Sequence, residues 1–294
     1  MKTVLVTGAN GFIAQALIPK LVKSGNYMVY ALTSNREKAE NNYIEFLGNN
    51  SLSIVTLEDP LNDKIHSVVH LAGEPVASSV LTKKRFQVIN SRRLTFLHSL
   101  KAYLKDADVR YFIQASATDI YTDSEGEVTE QDNIDENEFA RICFSQEFNA
   151  KELFEGQFTT VAVTRFGIVL GKHSIPVKWM QRIPPMSIVG AHNYLPYVAL
   201  KDVVKALLFL LDREERGIFN VVSPGYLTFN DILHSINHRT ILGIRLPVPT
   251  FMFRYSDRRA ALLLADKKVK PQHLLSLGFE FGVKDGKTLE EYLN

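Results

Sequence analysis

The chain has 294 residues, 46% of them hydrophobic and 22% charged, with a formal net charge of +2. These proportions are those of a globular protein with room for one large or two modest cores, and they exclude a disordered chain. So small a charge leaves no footprint for nucleic acid, and the single cysteine, Cys143, excludes an internal disulfide and fits a reducing compartment.

In chain order, residues 3–7 (TVLVT) read as a fully buried strand, and Ile13, Leu17 and Leu21, four apart, as the core stripe of a helix that follows. The turn between them holds Gly8, Asn10, Gly11, Phe12 and Ile13. Gly8 permits a tight turn, Gly11 lets backbone N–H groups approach a pyrophosphate at the helix start, and small Ala14 lets helix and strand pack closely. The spacing is GxxGxxA rather than GxGxxG, so the strand before and the helix after carry the reading of a phosphate cradle against a merely structural turn. Pro19, inside the helix, removes a hydrogen bond at a cost of about 3 kcal/mol and predicts a kink.

The second strand, YMVYAL at 27–32, ends in Thr33, Ser34, Asn35 and Arg36, with no carboxylate. An acidic residue there would favour NAD through the ribose 2′-hydroxyl, whereas hydroxyl and guanidinium donors suit a 2′-phosphate. Thr33, Ser34 and Arg36 are therefore candidate contacts and NADP is preferred over NAD. The alternative is that Arg36 and Lys38 only solvate the next helix.

Further strand-like runs at 53–57, 67–71, 110–115 and 160–170 alternate with helical stretches. This predicts an α/β, Rossmann-type doubly wound parallel sheet with ligand at the carboxyl ends of its strands. Residues 83–104 form a long helix whose Lys83, Lys84, Arg85, Arg92 and Arg93 read as a solvated face. The acidic stretch 123–138 lacks the ligand spacing of a calcium loop and reads as a solvated loop, and no metal is expected.

After residue 171 prolines punctuate the chain. Helical VKALLFLLD covers 204–212, Thr228 with Asp231 offers a helix start, and 247–281 contains a helix and a short aromatic strand. The expected layout is a Rossmann domain at 1–171 plus about 198–222, and a small α+β substrate lobe at about 172–197 and 223–294. Asp202 is expected to cap or orient the helix at 202–212. No basic-then-apolar leader and no long apolar run is seen, so the expectation is a cytoplasmic chain without a membrane partner.

Several segments together resemble the extended short-chain dehydrogenase/reductases of the NAD(P)-dependent epimerase/dehydratase family. They are VTGANGFIA, HLAGEP (His70 to Pro75), QASATDIY (Gln114 to Tyr121), RFGIVLG (Arg165 to Gly171) and YVALKDVVKALLFLL (Tyr197 to Leu211). HLAGEP, TEQD, LPVP (Leu246 to Pro249) and PQHLLSLGFEF are similar to the YfcH-type branch of sugar-nucleotide epimerases, with its small C-terminal domain. The resemblance implies that Leu71, Ala72 and Gly73 pass close to the cofactor and that Ser116 stands at the family's catalytic Ser/Thr. It also implies that the family's catalytic Tyr and Lys fall on Cys143 and Glu147, so both are missing, as they are in that branch. Asp119 and Thr122 replace glycines beside the expected pocket, and Ala199 replaces a histidine.

Four groups are candidates for the missing acid/base. Tyr121, on the strand-end loop of Ser116, could protonate an alkoxide if neighbouring charge lowered its pKa. Cys143 reads better as a core cysteine, Glu147 as a solvent-facing helix residue, and Asp119 is a new carboxylate by the pocket. The catalytic expectation is Ser116 polarising a substrate oxygen and Tyr121 or a water supplying the proton. The expected function is an NADP(H)-dependent epimerase-like oxidoreductase acting on a small polar carbonyl or hydroxyl substrate, with a homodimer permitted. The alternative is a catalytically silent NADPH-binding sensor.

Overall fold

Short β-branched and aromatic runs separated by crossover helices can pair only in parallel, and here seven of them do. The computed structural model describes all residues but 62, 74–81, 185, 190–192, 238–244, 250–265 and 294. Its strands in chain order are β1 (Lys2–Thr7), β2 (Tyr27–Leu32), β3 (Leu52–Val55), β4 (Ser67–His70), β5 (Tyr111–Ala117), β6 (Ser124–Val128), β7 (Thr160–Phe166), β8 (Ile168–Leu170), β9 (Met186–Val189), β10 (Tyr194–Leu195), β11 (Tyr197–Ala199), β12 (Gly217–Val221), β13 (Leu227–Thr228), β14 (Leu246–Pro249) and β15 (Lys267–Val269). The α-helices are α1 (Phe12–Ser24), α2 (Arg36–Asn42), α3 (Lys83–Tyr103), α4 (Glu138–Phe154), α5 (Ile175–Arg182), α6 (Leu200–Arg213), α7 (Phe229–Ile236), α8 (Gln272–Ser276) and α9 (Gly286–Leu293).

The main sheet runs β12-β7-β5-β4-β1-β2-β3, all parallel. This is the doubly wound Rossmann-type sheet that the alternation of strands and helices predicts. Side chains of period two divide it into two faces. Val4 and Val6 join Leu17, Ile18, Leu207 and Leu210 on one, and Leu5 joins Leu97, Leu100, Phe112 and Phe154 on the other. Removing each such aliphatic side chain from water contributes about 1.5–3 kcal/mol. Helix α1 runs through Pro19 without interruption and ends at Gly25 in the left-handed conformation. A third cluster gathers Val177, Met180, Tyr197, Phe229, Leu233, Val283 and Leu289 from α5, β11, α7 and the C-terminal segment.

Several details depart from the sequence reading. The run at 160–170 is two strands, because Gly167 packs against the chain at Pro196, where a Cβ would lie 2.8 Å from the carbonyl oxygen. β8 leaves the main sheet to pair with β11. The acidic stretch is not simply a solvated loop: β6 pairs with β15, and Glu130 accepts the backbone N–H of Asn220 at 2.9 Å. The expected aromatic strand near 279–281 is irregular backbone, and Phe279 and Phe281 are buried in the cluster that contains α1 and α6. Much of the segment expected to hold a further helix, 250–265, lies outside the described residues.

Asp202 does not cap α6, whose N-cap is Ala199. Its carboxylate oxygens instead accept the backbone N–H groups of Gly282 and Val283, both at 2.8 Å. The helix start at Thr228 is a capping box, with Asp231 returning a bond to the Thr228 backbone. Among the described residues no helix is long and apolar enough to cross a membrane.

Candidate functional site

The carboxyl ends of β1, β4 and β5 converge, and the glycine turn is built against the β4 end. Gly8 has φ +69°, and a Cβ there would lie 2.8 Å from Ala72 Cα, so only glycine allows the two chain segments to touch. A Cβ on Gly11 would lie 2.9 Å from the Gly8 carbonyl oxygen. Gly11 caps α1 without a side-chain bond, which leaves the first-turn N–H groups at Phe12 and Ile13 available to an anion, and no acidic residue stands in that turn.

Asn10 fixes the turn from its far side. Its amide donates to Thr33 Oγ1 at 2.8 Å and to the Asn35 carbonyl at 2.9 Å, and it accepts from Asn42 at 2.8 Å. Thr33 is therefore buried and occupied within the protein, so its hydroxyl organises the turn rather than facing a ligand. Ser34, Arg36 and Lys38 are exposed. The Arg36 guanidinium donates to the Ile54 carbonyl at 3.0 Å and to Asp59 at 2.5 Å, and Thr56 also holds Asp59 through two bonds.

The β4 loop is tied to β1 through Thr7. The Ala72 N–H donates to Thr7 Oγ1 at 3.0 Å, and that hydroxyl meets His70 Nδ1 at 2.8 Å. His70 stacks on Phe96 with ring centroids 5.7 Å apart, and burial, aided by the Arg93 charge, pushes its pKa down to about 3. Leu71, Ala72 and Gly73 then pass on to a cavity of about 200 Å3, which they line together with Arg93, Ser116, Asp119, Cys143 and Gln146. The segment expected next to the cofactor and the serine of β5 thus border one space.

Arg93 was expected on a solvated face and is half-buried instead. It packs on Gly73 and donates to Gln146 Oε1 at 3.3 Å. Burial lowers its pKa. Asp119 is also half-buried, and burial raises its carboxyl above the usual range while the Lys267 charge opposes the shift. Cys143 behaves as the core cysteine the sequence suggested: burial, with the Asp119 and Glu147 charges, pushes its thiol up to about 12.

Glu147 reverses its expectation. It is 5% exposed and faces inward from α4. Arg165 of β7 grips it with Nε on Oε1 at 2.9 Å and Nη2 on Oε2 at 2.7 Å, and Ser116 donates its hydroxyl to Oε1 at 2.6 Å. The third arm of Arg165, Nη1, donates to the Tyr121 oxygen at 2.8 Å, and Tyr121 donates to Asn220 Oδ1 at 2.7 Å. Burial works against the Arg165 charge, but the Glu147 carboxylate raises its pKa above the ordinary value.

Tyr121 does not fill the role of direct proton donor. It is 0% exposed, both its hydrogen-bonding directions are taken within the protein, and burial raises its pKa, against the lowering that donation near neutral pH requires. It stands behind Arg165 and is held there by Asn220. The Glu147–Arg165 pair had one signal in the sequence: a lone arginine inside the apolar run TVAVTRFGIV demands a buried counter-charge.

Comparison with known proteins agrees with this geometry. Residues 4–142 match the model of the NAD dependent epimerase/dehydratase family. The chain is 24% identical over 297 residues to the chloroplastic epimerase family protein SDR39U1 homolog of Arabidopsis thaliana, covering 96% of this chain and 84% of that protein. Its fold is similar to human epimerase family protein SDR39U1 with NADPH, at TM-score 0.78 and 22% identity over 99% of both chains. It is also similar to UDP-glucuronic acid 4-epimerase from Bacillus cereus in complex with NAD, at TM-score 0.71 and 16% identity over 99% of this chain and 100% of the other. Residues 4–142 thus match the NAD dependent epimerase/dehydratase family, and over nearly its whole length the chain is similar to epimerase family proteins.

Proposed function

We propose that the protein binds NADP(H) and interconverts a hydroxyl and a carbonyl group on a small polar substrate held in the Ser116 cavity. The observation that carries this reading is that Leu71 and Ala72 belong both to the wall of the glycine cradle and to the wall of the cavity that holds Ser116. A dinucleotide held along that path would supply hydride exchange, and Ser116 would meet the substrate oxygen.

On the protein side, the N–H groups of Phe12 and Ile13 and the glycines at 8 and 11 hold the pyrophosphate. Ser34, Arg36 and Lys38 supply donors for a 2′-phosphate, and the NADPH in the human structure of similar fold supports the same preference. Arg93, Asp119 and Gln146 make the cavity polar, which favours a substrate with several oxygens. A net charge of +2 supports a small molecule as the partner rather than nucleic acid.

Thermal shift with NADPH and NADH tests the cradle, because a ligand that binds only the folded state raises apparent stability. The expected result is a larger shift with NADPH. A panel of aldehydes, ketones and vicinal diketones, followed by NADPH oxidation, then tests the chemistry. Binding without turnover of any of them would make the chain a nucleotide sensor instead.

A further inference from the structure

We propose that the hydroxyl proton of the substrate moves inward through Ser116 to Glu147, so that a buried carboxylate takes over the proton balance that a tyrosine-lysine pair would otherwise serve. The inference rests on the oxidoreductase reading above and adds the route of the proton. A serine hydroxyl carries one hydrogen, and Ser116 commits it to Glu147 Oε1 at 2.6 Å. Towards the cavity the same oxygen therefore offers lone pairs, which accept a bond from an alcohol and offer nothing to a carbonyl. The resting site is built for a hydroxyl.

Glu147 is 5% exposed, and Arg165 holds it there through two parallel bonds. The other groups around it are Cys143 one helical turn away, Arg93 from α3, Asp119 and Ser116 at the end of β5, and Tyr121 behind Arg165. Among these, the Cys143 thiol stays protonated, and Tyr121 is sealed from the cavity. Glu147 lies behind Ser116 rather than in the cavity wall; among the described residues Asp119 is the one carboxyl that lines the cavity, and the hydroxyl hydrogen of Ser116 goes to Glu147.

In the oxidising direction a bound NADP+ would take up the hydride of the substrate carbinol carbon, and the substrate oxygen would give its proton to Ser116 Oγ. The original Ser116 proton passes to Glu147 Oε1. The C–O bond becomes a carbonyl, the dinucleotide is reduced, and the carboxylate becomes a carboxylic acid. Reduction runs the same path backwards and needs Glu147 protonated. Carbonyl reduction consumes one proton and alcohol oxidation releases one, so the first should slow and the second quicken as pH rises.

The test follows NADPH oxidation by the vicinal diketone or hydroxyketone that turns over fastest, across pH, in wild type, Ser116→Ala, Ser116→Thr, Glu147→Gln and Asp119→Asn, with NADPH binding measured by its fluorescence. Ser116→Ala and Glu147→Gln should bind NADPH and lose about 100-fold or more in rate, the scale of a lost proton-transfer group. Ser116→Thr should restore the rate, and Asp119→Asn should keep the shape of the pH profile. Should Glu147→Gln fail to fold, Ser116→Ala still cuts the route with the Glu147–Arg165 pair intact.

A single turnover of NADP+ with the matching alcohol should exchange a carboxylate band for a carboxylic-acid band in the difference infrared spectrum, and Glu147→Gln should lack that exchange. Retention of wild-type rate and pH profile in Ser116→Ala or Glu147→Gln would overturn the relay and leave the oxidoreductase reading standing. Flattening of the profile by Asp119→Asn alone would move the proton to Asp119 and overturn it as well. A wild-type protein that binds NADPH and reduces nothing in the panel would overturn both.

Discussion

Arg165 holds Glu147 by two bonds of 2.9 and 2.7 Å while both residues are almost wholly buried. Such a pair need not stabilise the fold relative to apolar residues, yet losing one partner leaves an uncompensated charge in the core. Arg165→Met should therefore cost about 3–5 kcal/mol in urea unfolding. The double substitution Arg165→Met with Glu147→Leu should recover most of that loss. Equal stability of Arg165→Met and wild type would contradict the pairing.

Gly8→Ala should cripple the cradle. Its φ of +69° costs a residue with a Cβ about 1–2 kcal/mol, and the new carbon would sit 2.8 Å from Ala72 Cα. The loop that lines the cavity must then move with the turn. Differential scanning fluorimetry should show a lower melting temperature and a loss of the NADPH-induced shift.

Arg36→Ala should separate the two cofactors. Losing a charge-assisted bond to a 2′-phosphate costs about 1.5–3 kcal/mol, or roughly 10- to 100-fold in NADPH affinity, with little effect on NADH. Titration calorimetry with both nucleotides reads the difference. An equal loss for NADPH and NADH would show that Arg36 serves only its bonds to Ile54 and Asp59.

His70 should give stability a pH dependence of known sign. Its folded pKa lies at about 3, well below the ordinary 6.5. Above pH 6.5 the ring is neutral in both states and contributes no slope. As pH falls from 6.5 towards 3, the unfolded chain binds a proton that the folded chain refuses, and stability drops by about 1.4 kcal/mol per pH unit. His70→Asn should flatten that limb by one proton in urea unfolding measured stepwise between about pH 7 and pH 4.

What the sequence disclosed was local. The strands of the main sheet, the glycine turn and the capping box at Thr228 are written in short spacings of two, three and four residues, which a single chain displays directly. Ser116 and the Ala72–Gly73 loop came from family resemblance and meet at one cavity. Glu147 and Arg93 were read outward because a charged residue on a helix is ordinarily solvated, and only the packing of α3 and α4 on the sheet turns them inward. Tyr121 was placed near Ser116 by sequence, yet the turn at 118–120 carries its side chain behind Arg165. Side-chain direction after a turn is not a property of spacing.

Asp202 also has a meaning for how the molecule is made. Phe279 and Phe281 complete the same cluster that holds β1, α1 and α6, and the two bonds that Asp202 accepts from Gly282 and Val283 fasten them there. The cluster that holds β1 is therefore completed by residues more than 270 positions later. During synthesis that cluster stays incompletely sealed, and in need of protection, until Phe281 has left the ribosome.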